Sequence, residues 1–269
     1  MKQGKEKEAL YDQIISQIFA KHFKAGLVSF KFKRQEIIDT ATELRLDVAR
    51  NVGDVIYTFR FRKNLPKSIR DSAPKGSEWV INLAGRGQYE FELVSGAWIK
   101  PSDGRVVIKV PDSTPVIIAE HALSDEQALL AVLRYNRLID TFLRATCFSL
   151  QSHLRTQVKN MGQIEVDELY LGVDRRGVQY VIPVQAKGGK DKLGIVQVRQ
   201  DMAFCRERFP HLTCRPVAAQ FMKDSVVALM ELVEDAGRVL VCNEAHFRLV
   251  ASGEISSQDL DRYRAAGDD

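Results

Sequence analysis

Gln163-Ile164-Glu165-Val166-Asp167 and, one hairpin's length later, Val184-Gln185-Ala186-Lys187 are the stretches from which the rest of this 269-residue chain is read. Side chains alternate faces along a strand, so Glu165 and Asp167 point the same way and Leu169, Leu171 and Val173 continue their face. Asp174-Arg175-Arg176-Gly177 is a polar, Gly-terminated turn of the kind that joins antiparallel strands. In the returning strand Val178, Tyr180, Ile182, Val184 and Ala186 share one face, and Gln185 and Lys187 share the other. The pattern predicts two pairs of polar side chains converging at one corner of a sheet. Pro183 cannot donate to a ladder, which predicts an edge or a bulge that aims Gln185 and Lys187.

Mg²⁺ takes oxygen ligands in near-octahedral geometry and keeps waters beside one or two carboxylates and substrate phosphate. Asp167 is the best protein ligand in this corner. A lysine beside it can orient or deprotonate an attacking water and stabilise charge building on phosphorus, which suits Lys187.

These residues resemble the PD-(D/E)XK nuclease superfamily, and within it the Mrr-like variant in which Gln-x-Lys replaces Glu-x-Lys. The resemblance covers Asp125 to Val250. It implies a restriction-endonuclease-like core, of α/β (α+β) class, with a mixed sheet flanked by helices. Carried over by position, it makes Asp167 the metal-binding aspartate, Gln185 the variable acid or amide that also serves the metal, and Lys187 the catalytic lysine, with Glu165 an extra ligand. The neutral amide of Gln185 is a weaker ligand than a carboxylate, and no proline precedes Asp167. Family members often bring a glutamine from the next helix to the scissile phosphate, which points to Gln200 and Gln197. An acidic residue of the preceding helix sometimes completes the metal site, and Asp140 is the candidate. The implied activity is a Mg²⁺-dependent DNA endonuclease, with Mn²⁺ a possible substitute, acting on double-stranded DNA in restriction or defence. Such an enzyme would ordinarily work as a homodimer beside a cognate methyltransferase. Two alternatives stand beside it: a structure-specific repair or recombination nuclease, and a non-catalytic DNA-binding regulator on a degenerate nuclease fold.

A helix is predicted after Gly188-Gly189, capped by Asp191, with Leu193, Val196, Val198, Met202, Cys205 and Phe209 on a broad apolar face and Gln197 and Gln200 on its more polar side. Lys190 and Lys192, beside the glycines, are placed for phosphate contacts. Before the motif a helix is predicted from Ser124 to Leu150, opened by a Ser124–Gln127 capping box. Beyond it, strands are expected at Pro216–Met222, Val226–Val233 and Val239–Cys242. The core domain is placed at 121–269.

Residues 1–70 read as three helices, over Glu8–Phe23, Gln35–Leu44 and Val48–Phe59, with an extended piece at Leu27–Phe32. The order fits a winged-helix or helix-turn-helix module, in which Arg50, Asn51 and Asp54 would meet DNA. It fits equally a helical cap with a solvated basic face. Ten basic residues from Lys31 to Arg70, interleaved with aromatics such as Phe32, Tyr57 and Phe59, support either reading. Residues 71–120 read as a small β-rich segment, with strands at Glu78–Ala84, Gly87–Val94 and Arg105–Val110 and a short one at Val116–Ala119. Gly85-Arg86-Gly87 lacks the remainder of a phosphate loop and predicts a hairpin turn.

The net charge of +4 is mildly basic, and the hydrophobic share of 45% is ordinary for a globular protein. No apolar run reaches the length of a membrane helix, and the charged start Met1 to Lys7 lacks a signal core, so a cytoplasmic protein without membrane partners is expected. The four cysteines, Cys147, Cys205, Cys214 and Cys242, lack zinc spacing and are expected to be buried free thiols. None of the five histidines has a Ser, Cys or second His at a spacing that implies a triad or a zinc site.

Overall fold

The computed structural model describes residues 2–46, 52–121, 126–159, 161–188, 191–251 and 253–265. The chain forms two units. The first comprises Met1–Ile99 with Thr156–Ile164 and Gly194–Gln200, and the second comprises Lys100–Arg155, Glu165–Leu193 and Asp201–Asp269.

The first unit runs α1 (Lys2–His22), β1 (Ser29–Lys33), α2 (Arg34–Glu43), α3 (Val52–Tyr57) continued by a π-helical turn at Thr58–Arg62, α4 (Lys67–Arg70), β2 (Glu78–Leu83), β3 (Gln88–Val94) and β4 (Trp98–Ile99). The apolar stripe of α1 closes a core in which Ile14, Ile15 and Ile18 are fully buried. Opposite it lies an antiparallel sheet in the order β1-β3-β2, with Phe32 paired to Tyr89 and Ile81 to Phe91. The Phe19 ring meets Trp79 and Phe91 edge-on at 5.3 and 5.1 Å, the geometry that ring quadrupoles favour. The glycines of Gly85-Arg86-Gly87 sit at φ +125° and +67° in the β2–β3 connection, which makes the segment the expected hairpin turn.

The basic and aromatic residues of this unit are less available than their sequence implies. Phe32 and Phe59 belong to the core. Arg60 is buried as well: its Nε donates to the Ile81 carbonyl at 3.2 Å, its guanidinium stands 4.6 Å from the Phe61 ring centroid, and burial draws its pKa down to about 10. It remains charged at neutral pH but does not belong to a solvated basic face. Lys63 is paired with Asp12 at 2.8 Å.

The second unit contains β5 (Val107–Pro111), α5 (Val116–His121), α6 (Glu126–Tyr135), α7 (Leu138–Leu143), β6 (Thr146–Val158), β7 (Gly162–Val173), β8 (Gln179–Lys187), β9 (Leu193–Gly194), α8 (Ile195–Arg208), β10 (Thr213–Cys214), β11 (Val217–Phe221), β12 (Val226–Asp235), β13 (Arg238–Val250) and α9 (Ser257–Ala265). Several of these elements extend into the segments assigned to the first unit. Eight strands form one mixed sheet in the order β5-β13-β12-β11-β8-β7-β6, with β10 also beside β8. The segment 71–120 is thus divided, since β3 pairs with β1 and β2 with β3 in the first unit's sheet, whereas β5 runs parallel to β13. One sheet face packs on α6 and α7 through Leu129, Leu133, Ile139, Ile182, Val184 and Leu229. Among the described residues no helix is long and apolar enough to cross a membrane.

Three elements differ from the sequence reading. Instead of one helix to Leu150, the chain forms α6 and α7 and then turns into β6 at Thr146, because Arg137 and Arg144 take left-handed backbone angles, φ +48° and +52°. Val116–Ala119 is helical rather than extended. Pro115 presets the first turn, and its carbonyl accepts the amides of Ile118 and Ala119. Cys242 is exposed and Cys214 half-buried, while Cys147 and Cys205 are the buried thiols; all four are free.

Pro183 lies in the interior of the sheet with its register to Leu169 intact, so it marks no bulge against β7. Its missing N–H falls where the neighbour on the other side is interrupted: β10 pairs with Tyr180 and Val181, β11 resumes at Val184, and Arg215-Pro216 lies between. A ladder gap therefore accommodates the proline.

At the far edge of the sheet β5 is short, ends in Pro111 and is held by α9. The Lys109 amide donates to the Tyr263 hydroxyl at 2.8 Å, and Lys109 pairs with Asp259 at 3.0 Å. Asp259 also closes the start of α9 with Ser256, accepting from its hydroxyl at 2.7 Å and its amide at 2.9 Å. These hydrogen bonds and Lys109 hold the Asp259 carboxyl at about 2, below its ordinary 3.8. A depressed carboxyl contributes stability that is complete above the unfolded value and is lost as pH falls through the folded one. Hydrogen exchange in Ser257–Ala265 is therefore expected to accelerate as pH drops between those two values, after correction for the intrinsic rate. Asp259→Asn should abolish that pH step, and a step of equal size in the variant would disprove the assignment.

Candidate active site

β7 and β8 place Asp167, Gln185 and Lys187 on the sheet face opposite α6 and α7. Their neighbours Glu168 and Val184, paired across the two strands, face the core, so the alternating residues point away from it. The Lys187 Nζ stands 3.9 Å from the Asp167 Oδ2, with both side chains about 85% withdrawn from solvent (15% and 16% exposed). Oδ2 also accepts the Ala186 amide at 2.8 Å. Among the described residues no donor reaches the Asp167 Oδ1. Burial raises the Asp167 pKa and the Glu165 charge adds to this, whereas Lys187, the Ala186 amide and His153 oppose it.

Glu165 sits at the margin. Its carboxylate pairs with Arg155 at 3.3 Å and comes within 4.0 Å of His153, and its backbone carbonyl accepts the Gln185 side-chain amide at 3.0 Å. Gln185 is 2% exposed, and its side-chain amide also donates to the Asp201 Oδ2 at 2.9 Å.

Asp201 is the residue that reading the sequence missed. It lies on α8, three residues after Val198 and four before Cys205, so it occupies the apolar stripe of that helix. An acid interrupting such a stripe was the available signal. It is 2% exposed. Burial pushes its carboxyl well above the usual range, the negative charge of Asp167 adds to the rise, and the Gln185 hydrogen bond and Lys187 oppose it. Asp201 therefore holds a proton more readily than an ordinary aspartate.

The other expected residues fall as follows. Gln200 is buried rather than on a polar side of α8, and its amide nitrogen has no hydrogen-bond partner among the described residues. Gln197 is half-buried on the same helix. Lys192 is exposed ahead of β9. Asp140 does not join the corner: its carboxylate is bound by Arg137 and accepts the Cys147 amide at 3.0 Å, closing the turn between α7 and β6. Asp54 accepts the Tyr11 hydroxyl at 2.9 Å. Arg50, Asn51 and Lys190 lie outside the described residues.

The donor set can be tested against a hard divalent cation. It offers one desolvated carboxylate with an oxygen to spare, a second carboxylate at the solvent margin, and an amide. Among the described residues no group of three or more His, Cys, Asp or Glu side chains is placed to hold a metal. The corner thus fits an ion that keeps water and takes part of its shell from phosphate, as Mg²⁺ does, and does not fit an all-protein cage. Compared with protein-family models and with curated proteins, the chain matches none.

Proposed function

We propose that this corner is the active site of a Mg²⁺-dependent DNA endonuclease of the PD-(D/E)XK type. The observation that carries the proposal is the meeting of Asp167 and Lys187 at 3.9 Å on one shielded sheet face, with Gln185 beside them. Asp167 would hold the cation through its uncommitted oxygen, with Gln185 and, once released from Arg155, Glu165 in support. A divalent cation there would supply Lewis acidity to the scissile phosphate. Lys187 would position the attacking water in line with the leaving oxygen and stabilise charge on the phosphate as it develops.

The surrounding topology supports this reading. Helices precede a three-strand run, β6 to β8, that carries the acidic and Gln-x-Lys pairs, and a helical crossover, α8, leads to the parallel strand β11. In the first unit, the order helix, strand, helix, helix, strand, strand, interrupted only by the four-residue α4 ahead of β2, with sheet order β1-β3-β2 supports a winged-helix DNA-binding module. Together they fit a restriction or defence nuclease acting on double-stranded DNA as a homodimer.

The test is cleavage of supercoiled plasmid and of methylated and unmethylated genomic DNA with Mg²⁺ or Mn²⁺. Wild type should give metal-dependent fragments that disappear in Asp167→Ala. Intact DNA under every metal with wild type would refute catalysis. A second reading, a DNA-binding protein without cleavage, is favoured by the Arg155 pair that occupies the Glu165 carboxylate. It predicts salt-sensitive DNA binding unchanged by substitutions at Asp167 and Lys187.

A further inference from the structure

We propose that Arg155 is a DNA-phosphate contact that occupies the Glu165 carboxylate in the free protein. Its transfer to a backbone phosphate opens that carboxylate to the divalent cation, so that DNA and cation bind cooperatively. This rests on the cation-binding reading of Asp167 and Glu165.

The planar fork of a guanidinium suits a carboxylate and a phosphate alike, two N–H donors meeting two oxygens in either case. Arg155 of β6 spends its fork on Glu165 of β7: Nε lies 3.3 Å from Oε2, and Nη2 donates to Oε1 at 3.3 Å. Both limbs are longer than the roughly 2.7–2.9 Å of a tight charge-assisted pair. The two side chains are 68% and 39% exposed, so water screens the contact and its hold is weak. Arg134, by contrast, is fixed at 2.9 Å on the fully buried Glu168 and is not free to leave it. The His153 Nδ1 stands 4.0 Å from the Glu165 carboxylate, beyond hydrogen-bonding distance, which leaves Arg155 as the group that holds it. A cation held by Asp167 competes with the guanidinium for Glu165, because two positive groups on one carboxylate repel each other. A DNA phosphate resolves the competition: some of its oxygens accept Arg155 while others complete the shell of the ion. The strand suits an anion, since β6 carries no acidic residue from Thr146 to Val158 and both His153 and Arg155 are exposed on it. Linkage is reciprocal, so the factor by which DNA tightens the cation is the factor by which the cation tightens DNA.

Two binding measurements test this without reference to cleavage. The first is Mn²⁺ binding without DNA, followed by the electron paramagnetic resonance signal of the free ion. Arg155→Ala should tighten it by about two- to fivefold, the inverse of the hold of an exposed ion pair. In a Glu165→Gln background Arg155→Ala should give no gain, because no carboxylate remains to be released. Asp167→Ala should lose Mn²⁺ in either background. The second is fluorescence anisotropy of a labelled random-sequence duplex, with and without Mn²⁺, in a Lys187→Ala background that keeps the duplex intact. Arg155→Ala should weaken duplex binding and lower the slope of log affinity against log salt by about one, the mark of a lost phosphate contact. The increase in duplex affinity on adding Mn²⁺ should shrink by the same factor that the first measurement gains. An Arg155→Ala variant with unchanged Mn²⁺ affinity, or with a gain that persists in Glu165→Gln, overturns the competition. An unchanged salt slope overturns the phosphate contact. If Asp167→Ala still loses Mn²⁺ in those cases, the proposed site stands without this role for Arg155. Absence of Mn²⁺ binding in wild type and in Arg155→Ala alike removes the cation reading and the exchange with it.

Discussion

Lys187→Ala is expected to lower the DNA cleavage rate at saturating Mg²⁺ by about 100- to 1000-fold, the loss typical when one preorganised electrostatic partner of a developing charge is removed. The ammonium is withdrawn from solvent and stands 3.9 Å from Asp167, so water screens it less than it would a surface lysine. Lys187→Arg should not restore the rate, because a planar guanidinium cannot occupy the place of a compact ammonium in an enclosed corner. A second signature is in the pH profile. Lys187 opposes the rise in the Asp167 pKa caused by burial. Removing the lysine should move the acid limb of the residual activity to higher pH, since the ionised carboxylate disappears as pH falls through its pKa. Cleavage by Lys187→Ala within a fewfold of wild type would sink the assignment of its role.

The second large effect concerns stability on the other face of the same strand. Glu168 is completely buried, and Arg134 of α6 grips it with Nη2 at 2.9 Å from each carboxylate oxygen and Nε at 3.1 Å, while the Ser149 hydroxyl donates at 2.6 Å. Removing one partner of a buried pair leaves an uncompensated charge, which costs about 3–5 kcal/mol when both are buried. Arg134 is 44% exposed and water can partly replace it, so about 2–3 kcal/mol is expected for Arg134→Ala. Replacing both members with apolar residues, as in Arg134→Met with Glu168→Leu, should recover most of that loss, because no charge is then left in the core. Chemical denaturation followed through the eight-stranded sheet checks both variants. A double variant less stable than Arg134→Ala would show that Ser149 and the neighbouring packing, rather than the isolated carboxylate, set the penalty.

Period and turn chemistry made part of this architecture legible. Alternation from Glu165 to Val173 and from Val178 to Lys187, separated by Asp174-Arg175-Arg176-Gly177, corresponds to β7, β8 and their turn. Asp235-Ala236-Gly237 likewise lies at the turn between β12 and β13, with Ala236 and Gly237 at φ +47° and +74°. The continuous apolar pattern through Leu138, Ile139, Phe142 and Leu143 concealed two breaks. Arginine occupies the left-handed positions where glycine or asparagine would have announced a helix end. Val116-Ile117-Ile118 has strand composition, but composition carries no information about whether a neighbouring strand is within reach.

The sequence by itself determined which side chains share a face, since alternation is a local property of an extended chain. It therefore placed Gln185 with Lys187 and Glu165 with Asp167. Only the tertiary structure decided which groups are withdrawn from water and what they meet there. Packing α8 against β8 turned Asp201 from one more acid in a helix into a buried partner of Gln185. Folding of the first unit took Arg60 out of a basic surface and into its interior. Closure of the turn after α7 committed Asp140 to Arg137 and the Cys147 amide. Hydrogen-bond partners and local dielectric depend on residues distant in the chain, and those distances are set only when the sheet and its helices close on one another.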